Sequence, residues 1–358
     1  MSGNRASESA RRLRVGIVGL GFGARVHAPA FANLKGCELV ALAGRDRGKV
    51  DDAARQLETL THTRLSPFDD WRRMLDEAAL DVVSIALPPA VQPEIILAAA
   101  SLGIAVFCEK PVAVDVADAE HVCRVVQERG IAHAVNWGFP EHPAWIQARC
   151  WLTSIAPRRP ARLALLTWHV ESLAYSNKLS MSWKREANQG GGALHNFVSH
   201  CVYYLEWFFG PLARVLARVL PQSATGPRVE AWLDFQSGLT LTLSVAVNCP
   251  GRGIHRLEVY GDEGMLELTD SSLGAGFRAT LRSRDGVEWS EAETVASSSI
   301  EARIRSTGCI AERLLRSVSS GERVRPDLRD GVRVSQVLDC LIRSDQTGGW
   351  IEVANESA

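Results

Sequence analysis

At 358 residues the chain is longer than one hydrophobic core usually organises, so two domains are expected. Hydrophobic residues make up 46% and charged residues 23%, and a formal net charge of -1 gives no electrostatic pull toward nucleic acid or an anionic membrane. Eight cysteines, scattered without a CxxC pair or a repeated spacing, argue against a zinc site or a disulfide framework and for reduced thiols.

The opening MSGNRASESARRLR is polar and basic and lacks the apolar stretch of a signal peptide, and nowhere do about 18 apolar residues run uninterrupted. Residues 1–13 are therefore expected to be flexible, and the protein to be cytoplasmic with no membrane span.

From Arg14 onward the short apolar runs LRVGIVGL, CELVALAG, DVVSIALPP, GIAVFCEKP and GIAHAVNWG alternate with helix-period stretches. Two of these stretches, VQPEIILAAASLG and DVADAEHVCRVVQERG, end in glycine, a helix-stop signal. The βαβ rhythm predicts an α/β domain with a parallel sheet over residues 14–150.

Directly after the first run, GLGFGA places Gly19, Gly21 and Ala24 at GxGxxA spacing, between a strand and a helix. Gly19 suits the tight turn, Gly21 the close approach of a pyrophosphate, and Ala24 the packing of helix on strand. The helix N-terminus would then face the phosphates. The second run ends ALAGRDR, where an acidic residue would hold a ribose 2′-hydroxyl. Here Gly44 and Arg45 offer a 2′-phosphate room and a cation, which favours NADP, with NAD the alternative.

After about Trp151 the rhythm changes to strand following strand: RLALLTWHV, ARVLARVLP, RVEAWLDF, LTLTLSVAV, HRLEVYG and GMLELTD. An open, mostly antiparallel sheet is predicted for residues 151–358. Two helices, about 298–319 and 327–346, precede a short WIEV strand, and the C-terminal helix is free to pack back on the first domain.

Between these strands lies GGGALHNFVSH, residues 190–200, running into CVYYLEWFFG. Four residues of α-helix turn about 400°, so Asn196 and His200 would lie within about 40° of each other, whereas His195 would lie about 140° from His200. His195 is expected to be packed or solvent-facing, and YYLEWFF to be core. No metal site is expected, because asparagine is a weak ligand and Glu206 stands six residues beyond His200.

These segments together, and above all FCEKPVA at 107–113, resemble the Gfo/Idh/MocA oxidoreductases, typified by glucose-fructose oxidoreductase and inositol dehydrogenase. The resemblance extends through ALPPAVQPEIILAAASLGIAVFCEKP and GGGALHNFVSH to VYGDEGMLEL, most of the chain. It implies an N-terminal Rossmann domain, a C-terminal α/β domain on an open sheet, and hydride transfer between a nicotinamide and a sugar, nucleotide sugar, cyclitol or related hydroxy or keto compound. It also implies a homo-oligomer, dimer or tetramer.

By the same resemblance Lys110 is the EKP lysine that moves a proton at, or polarises, the reacting oxygen. An ammonium at a strand end suits that task, since burial can tune its pKa. The peptide bond from Lys110 to Pro111 is expected to be cis. Phe22, Gly23, Pro88 and Glu109 join Gly19, Gly21, Ala24, Gly44, Arg45 and Lys110 around the cofactor. His200 and Asn196 are catalytic and substrate-contacting candidates, and His142 and Trp183 are substrate contacts by position.

Three departures from the family pattern stand out. Asn196 replaces an aspartate, with Val198 in place of the glycine that follows; Gln92 replaces a frequent histidine; Pro140 replaces an arginine. A neutral Asn196 gives His200 no Coulomb support, so His200 is expected to be neutral at pH 7. Two other functions share this fold: a redox-neutral, NAD-using glycosidase-like enzyme and a non-catalytic, nucleotide-sensing regulatory protein.

Overall fold

The computed structural model describes residues 11–155, 161–172, 174, 183–220, 227–251, 253–262, 264–270, 276–286, 288–292 and 299–354. Six parallel strands form the first sheet: β1 (Leu13–Val18), β2 (Cys37–Ala43), β3 (Ser66–Phe68), β4 (Val82–Ile85), β5 (Ala105–Cys108) and β6 (His133–Val135). Their order is β3-β2-β1-β4-β5-β6, so the chain reverses direction across the sheet between β1 and β4. A crevice opens at such a switch point, beyond the carboxyl ends of the strands, and ligands bind there.

The crossover helices are α1 (Ala28–Ala32), α2 (Arg47–Thr61), α3 (Trp71–Glu77), α4 (Gln92–Ser101) and α5 (Val116–Glu128). Aspartates start three of them: Asp46, Asp70 and Asp115 accept hydrogen bonds from main-chain N–H groups of α2, α3 and α5. Residues 11–13, expected to be flexible, are held in place. Arg11 pairs with Asp81, Arg12 donates to the Cys37 carbonyl, and Leu13 is already in β1. Residues 1–10 lie outside the described residues.

Next come α6 (Pro143–Ile155), β7 (Ala161–His169), α7 (Ser199–Phe209), β8 (Leu212–Leu220), β9 (Arg228–Phe235), β10 (Thr240–Ala246), β11 (Ile254–Gly261), β12 (Gly264–Asp270), β13 (Arg278–Ser283) and β14 (Glu288–Ala292). They are followed by α8 (Ser299–Ser320), α9 (Leu328–Thr347) and β15 (Ile351–Glu352). The second sheet runs β14-β13-β12-β11-β7-β10-β9-β8-β15. Its described pairings are antiparallel except β7–β10, where the chain leaves one strand and returns beside it through α7, β8 and β9. Period-2 alternation buries one face, with Ala164, Leu166, Leu241, Leu243, Val229 and Leu233 inward.

Helix packing departs from the expected division at residue 150. That residue lies inside α6, which packs on β12–β14 with Trp145 and Ala148 buried. In the other direction, α8 lies against α1 and the first sheet, where Ile310, Ala311 and Leu314 join Ile17, Phe31 and Phe107 in one core. Each such buried aliphatic side chain stabilises by roughly 1.5–3 kcal/mol, so α8 is an integral layer of the first sheet. Packed on both α5 and β8, α9 is tied to α7 through Arg333, which grips Glu206 and the Leu212 and Ala354 carbonyls. No helix among the described residues is long and apolar enough to cross a membrane.

Candidate active site

The glycine turn closes β1 where the sheet order reverses. Gly19 has φ +116°, and a Cβ there would stand 2.5 Å from the Ala86 carbonyl oxygen. The helix then starts as one π-helical turn, Gly23–His27, leading into α1, with Ala24 N–H donating to Gly19 and Arg25 N–H to Gly21. A Cβ on Gly21 would meet nothing within 4 Å. That open space against exposed main chain fits the diphosphate of a dinucleotide.

Close packing of this turn on the strand falls chiefly on Gly23, whose added Cβ would reach Ile17 and Ala86 at 3.2 and 3.3 Å, with buried Ala24 behind it. Phe22 sets its ring edge-on to His27, with the Arg303 guanidinium 6.0 Å above it. Pro88 is half-buried and turns the chain after β4. The room expected at Gly44 is occupied: Leu20 and Val50 would lie 2.7 and 3.1 Å from its Cβ, so packing requires this glycine. Arg45 is exposed at the strand end, while Asp46 caps α2 and Arg47 pairs with Asp51.

At the end of β5, Glu109-Lys110-Pro111 is held by a fully buried glutamine. Gln92 Oε1 accepts from Glu109 N–H at 3.0 Å, and its Nε2 donates to the Glu109 and Pro111 carbonyls at 3.0 and 2.8 Å. The Lys110–Pro111 bond is cis. Glu109 Oε1 meets His27 Nε2 at 3.0 Å and Asn136 Nδ2 at 2.7 Å. In turn His27 Nδ1 lies 2.8 Å from Ser84 Oγ, and Asn136 donates to Thr307 of α8. Burial pushes the Glu109 carboxyl up, but the hydrogen bonds and charges of His27, Lys110 and Asn136 outweigh it and hold the group below its ordinary value.

Lys110 Nζ donates to the main-chain carbonyl of Asn196 at 3.2 Å, joining the two sheets. Burial lowers its pKa to about 8; Glu109 opposes the shift, and Lys184 and Arg303 add to it. The Asn196 side chain points back into its own turn, with Nδ2 donating to the Gly192 and Lys184 carbonyls. It makes no hydrogen bond to His200. The cause is local: residues Leu194–Val198 form a π-helical turn, so α-helical angular spacing does not apply between the two residues.

Two glycines let this turn close. A Cβ on Gly191 would fall 2.6 Å from the Lys184 carbonyl oxygen; one on Gly190, at φ +79°, would fall 2.8 Å from Pro89. His195 turns away to the Val114 carbonyl.

His200 is enclosed by rings, edge-on to Phe139 at 5.0 Å and Trp137 at 5.7 Å, with Trp168 beyond. Among the described residues it has no hydrogen-bond partner. Burial, reinforced by Lys110 and His255, drives its pKa well below the ordinary histidine value, so the ring is neutral. Behind it His255 stacks on Trp168 at 4.1 Å and meets the Tyr204 hydroxyl at 2.9 Å. His142 lies beside Phe139 and Phe277, and half-buried Trp183 opens the turn before Lys184. From YYLEWFF, Tyr204, Leu205 and Phe208 are core.

The sequence reading did not find His27, Ser84, Asn136, Thr307, Lys184 and Arg303, and it saw Gln92 only as a departure from pattern. A histidine four residues after the glycine turn was the one local signal for His27. No groups of His, Cys, Asp or Glu that could hold a metal occur among the described residues.

Residues 13–137 match an oxidoreductase family with an NAD-binding Rossmann fold, and residues 164–267 match the GFO/IDH/MocA C-terminal domain. Levoglucosan dehydrogenase of Pseudarthrobacter phenanthrenivorans is 23% identical, over 97% of this chain and 100% of that protein. Inositol 2-dehydrogenase of Salmonella typhimurium is 24% identical, over 78% and 81%. A solved levoglucosan dehydrogenase in complex with NADH and L-sorbose superimposes with a TM-score of 0.82 at 21% identity, over 96% of this chain and 100% of that one.

Proposed function

The chain belongs to the Gfo/Idh/MocA oxidoreductase family, and on that footing we propose that it is an NAD(P)-dependent dehydrogenase, with NADP preferred. In this reading its substrate is a sugar, nucleotide sugar, cyclitol or related hydroxy or keto compound, a class supported by the names of its sugar and cyclitol dehydrogenase relatives. When bound, the nicotinamide supplies hydride transfer. The chain's own groups do the rest.

Gly21, on a turn that Gly19 and Gly23 allow to close against the strand, gives the diphosphate room before α1, and Arg45 supplies a cation for a 2′-phosphate. Lys110 takes the hydroxyl proton during oxidation and returns it during reduction. His200, neutral and ring-enclosed, orients the substrate oxygen by hydrogen bonding. Gln92, His27 and Asn136 are positioning residues that fix Glu109 and therefore Lys110.

The observation that carries the reading is Lys110 itself. A half-buried ammonium at the end of β5, lowered to about 8 and anchored on the turn that leads to a neutral His200, can exchange a proton near neutral pH. The test is to follow reduced-nicotinamide absorbance with purified protein, NADP or NAD, and a panel of sugars, nucleotide sugars and cyclitols. Turnover with none of them, and no binding of either dinucleotide, would end the reading.

The reading extends to a cytoplasmic homo-oligomer. Its cysteines are free thiols, and the uncovered face of the second sheet exposes Leu163 and Trp232 on neighbouring rows of β7 and β9. Light scattering at several concentrations tests the assembly.

A further inference from the structure

The hydroxyl of Thr307 reaches outside its own helix. Thr59, Thr61, Thr153 and Thr347, the other threonines in described helices, each donate to the carbonyl four residues back. Thr307 instead meets Asn136 Nδ2 at 3.1 Å, 171 residues away in sequence, and makes no other hydrogen bond among the described residues. It is fully buried and precedes Ile310, Ala311 and Leu314 by three, four and seven residues, on the face that α8 lays against the first sheet. Packing alone would accept a valine there.

From Thr307 a continuous chain of hydrogen bonds leads to Lys110. Asn136 Nδ2 also donates to Glu109 Oε1 at 2.7 Å, and Glu109 Oε2 accepts from the Lys110 main-chain N–H at 3.3 Å. The Asn136 main chain is fixed by its N–H, which donates to the Cys108 carbonyl at 2.9 Å.

Which way the Asn136 amide faces depends on charge. As it stands, Nδ2 meets the carboxylate and the threonine oxygen, while Oδ1 is buried without a partner among the described residues. Turned over, Oδ1 would take the place of Nδ2, about 2.7 Å from Glu109 Oε1. Two oxygens tolerate that distance only when the carboxyl carries a proton. The observed orientation therefore goes with an ionised Glu109, and Thr307 takes the amide hydrogen that this orientation would otherwise leave buried and unpaired. In the turned form the threonine would add only a second bond to an oxygen that protonated Glu109 already satisfies. Loss of the hydroxyl thus weakens the ionised arrangement more.

We propose that Thr307 is a positioning residue of the proton-transfer site: acting through Asn136, it holds Glu109 ionised and aligned on Lys110. The inference rests on the reading of Lys110 as the proton-transfer group, and it brings α8, which follows the second sheet in sequence, into the active site. The titratable and charged groups that act on Glu109 among the described residues are His27 after β1, Cys108 and Lys110 on either side of it, Lys184 after Trp183, and Arg303 in α8.

The test is NMR titration of protein labelled with carbon-13 at lysine Cε. The chain has five lysines, and Lys110→Met assigns the signal of Lys110. From alkaline pH down to acid unfolding, that signal should show its own ionisation and then a smaller inflection as Glu109 takes up a proton. Glu109→Gln identifies the second by removing it. Thr307→Val should raise this inflection by about half a pH unit or more, because a hydrogen bond that favours the charged form is lost. Thr307→Ser should leave it at the wild-type position, and Thr307→Val should add no further shift in an Asn136→Leu background. Should Thr307→Val not fold, Thr307→Ala takes its place.

An inflection that stays at the wild-type position, or stays hidden below acid unfolding, in Thr307→Val would overturn the inference. So would a shift that Thr307→Ser shares, or a further shift in the Asn136→Leu background. A threonine that served packing alone would change the melting temperature and leave the inflection where it was. The titration needs neither substrate nor dinucleotide, so its failure is separate from that of the dehydrogenase reading, which falls if neither dinucleotide binds.

Discussion

The Lys110 ammonium and the Asn196 main-chain carbonyl are hydrogen-bonded at 3.2 Å, although 86 residues separate them in sequence. That contact fastens the end of β5 to the turn before α7. It places the proposed proton-transfer group, at the end of the first sheet, against the turn that leads to His200. Asn196 therefore acts through its backbone, which any side chain at that position would retain, while its own amide braces the turn at Gly192 and Lys184.

Asn196→Asp puts a negative charge on the turn whose main chain meets Lys110, four residues before His200. The His200 pKa should rise toward the ordinary histidine value, because an anion favours the protonated ring. The same substitution exchanges two amide N–H donors for carboxylate oxygens facing carbonyls, costing about 1–3 kcal/mol of stability. NMR titration of His200 and thermal unfolding read the two effects. An unmoved His200 would show that the two side chains do not share an electrostatic environment.

Arg45→Ala should weaken NADPH binding about tenfold or more and leave NADH nearly unchanged, since a charge-assisted contact to a 2′-phosphate is worth about 1.5–3 kcal/mol. Fluorescence titration with both dinucleotides checks it. Equal affinities in the wild-type protein would instead assign the site to NAD, with Arg45 a solvated surface residue.

Gln92→Leu keeps the volume of a fully buried side chain and removes its three hydrogen bonds. The Glu109 and Pro111 carbonyls lose this partner, a loss of about 1–3 kcal/mol for each group left unsatisfied, while the Glu109 N–H keeps its bond to the Ile85 carbonyl. The melting temperature should fall by several degrees and kcat should drop, because the Lys110 ammonium loses its fixed base. A fully active, equally stable variant would mean that β5 alone positions the lysine.

Glu109→Gln removes the charge that raises the Lys110 pKa against burial. The midpoint for alcohol oxidation should therefore move to lower pH than in the wild type, where Lys110 titrates at about 8. An upward shift would reverse the sign of the coupling and contradict the arrangement.

Much of this fold was legible because its signals are local. Short apolar runs alternating with helix-period stretches marked five of the six strands of the first sheet, the three-residue β3 being missed, and Gly19 and Gly21 followed a strand at the right spacing. The edge strand β14 and its neighbour β13 were missed because EWSEA and RATLRS are largely polar and charged. The amphipathic pattern of α8 showed that it had an apolar face but not that the first sheet would cover it.

The site was half legible for a related reason. Lys110 announced itself through its own neighbours, whereas His27, Asn136 and Thr307 matter only because the strand order brings β4, β5, β6 and α8 together around Glu109. The π-helical turn at Leu194–Val198 re-aims Asn196 by inserting a residue into the helical repeat. No sequence periodicity reports that insertion.

The central claim is that Lys110 carries the proton. Its most direct test is the pH dependence of kcat/KM for alcohol oxidation in the wild type, in Lys110→Met and in His200→Ala. A neutral amine is the base, so wild-type oxidation should rise with pH through a single ionisation near 8 and level off above it. Lys110→Met should lose about 100-fold or more in kcat together with that ionisation, at unchanged dinucleotide affinity, and His200→Ala should lose less and keep it. A Lys110→Met enzyme that retains full activity, or the same ionisation, would contradict the account, as would a His200 variant more severely impaired than the lysine one.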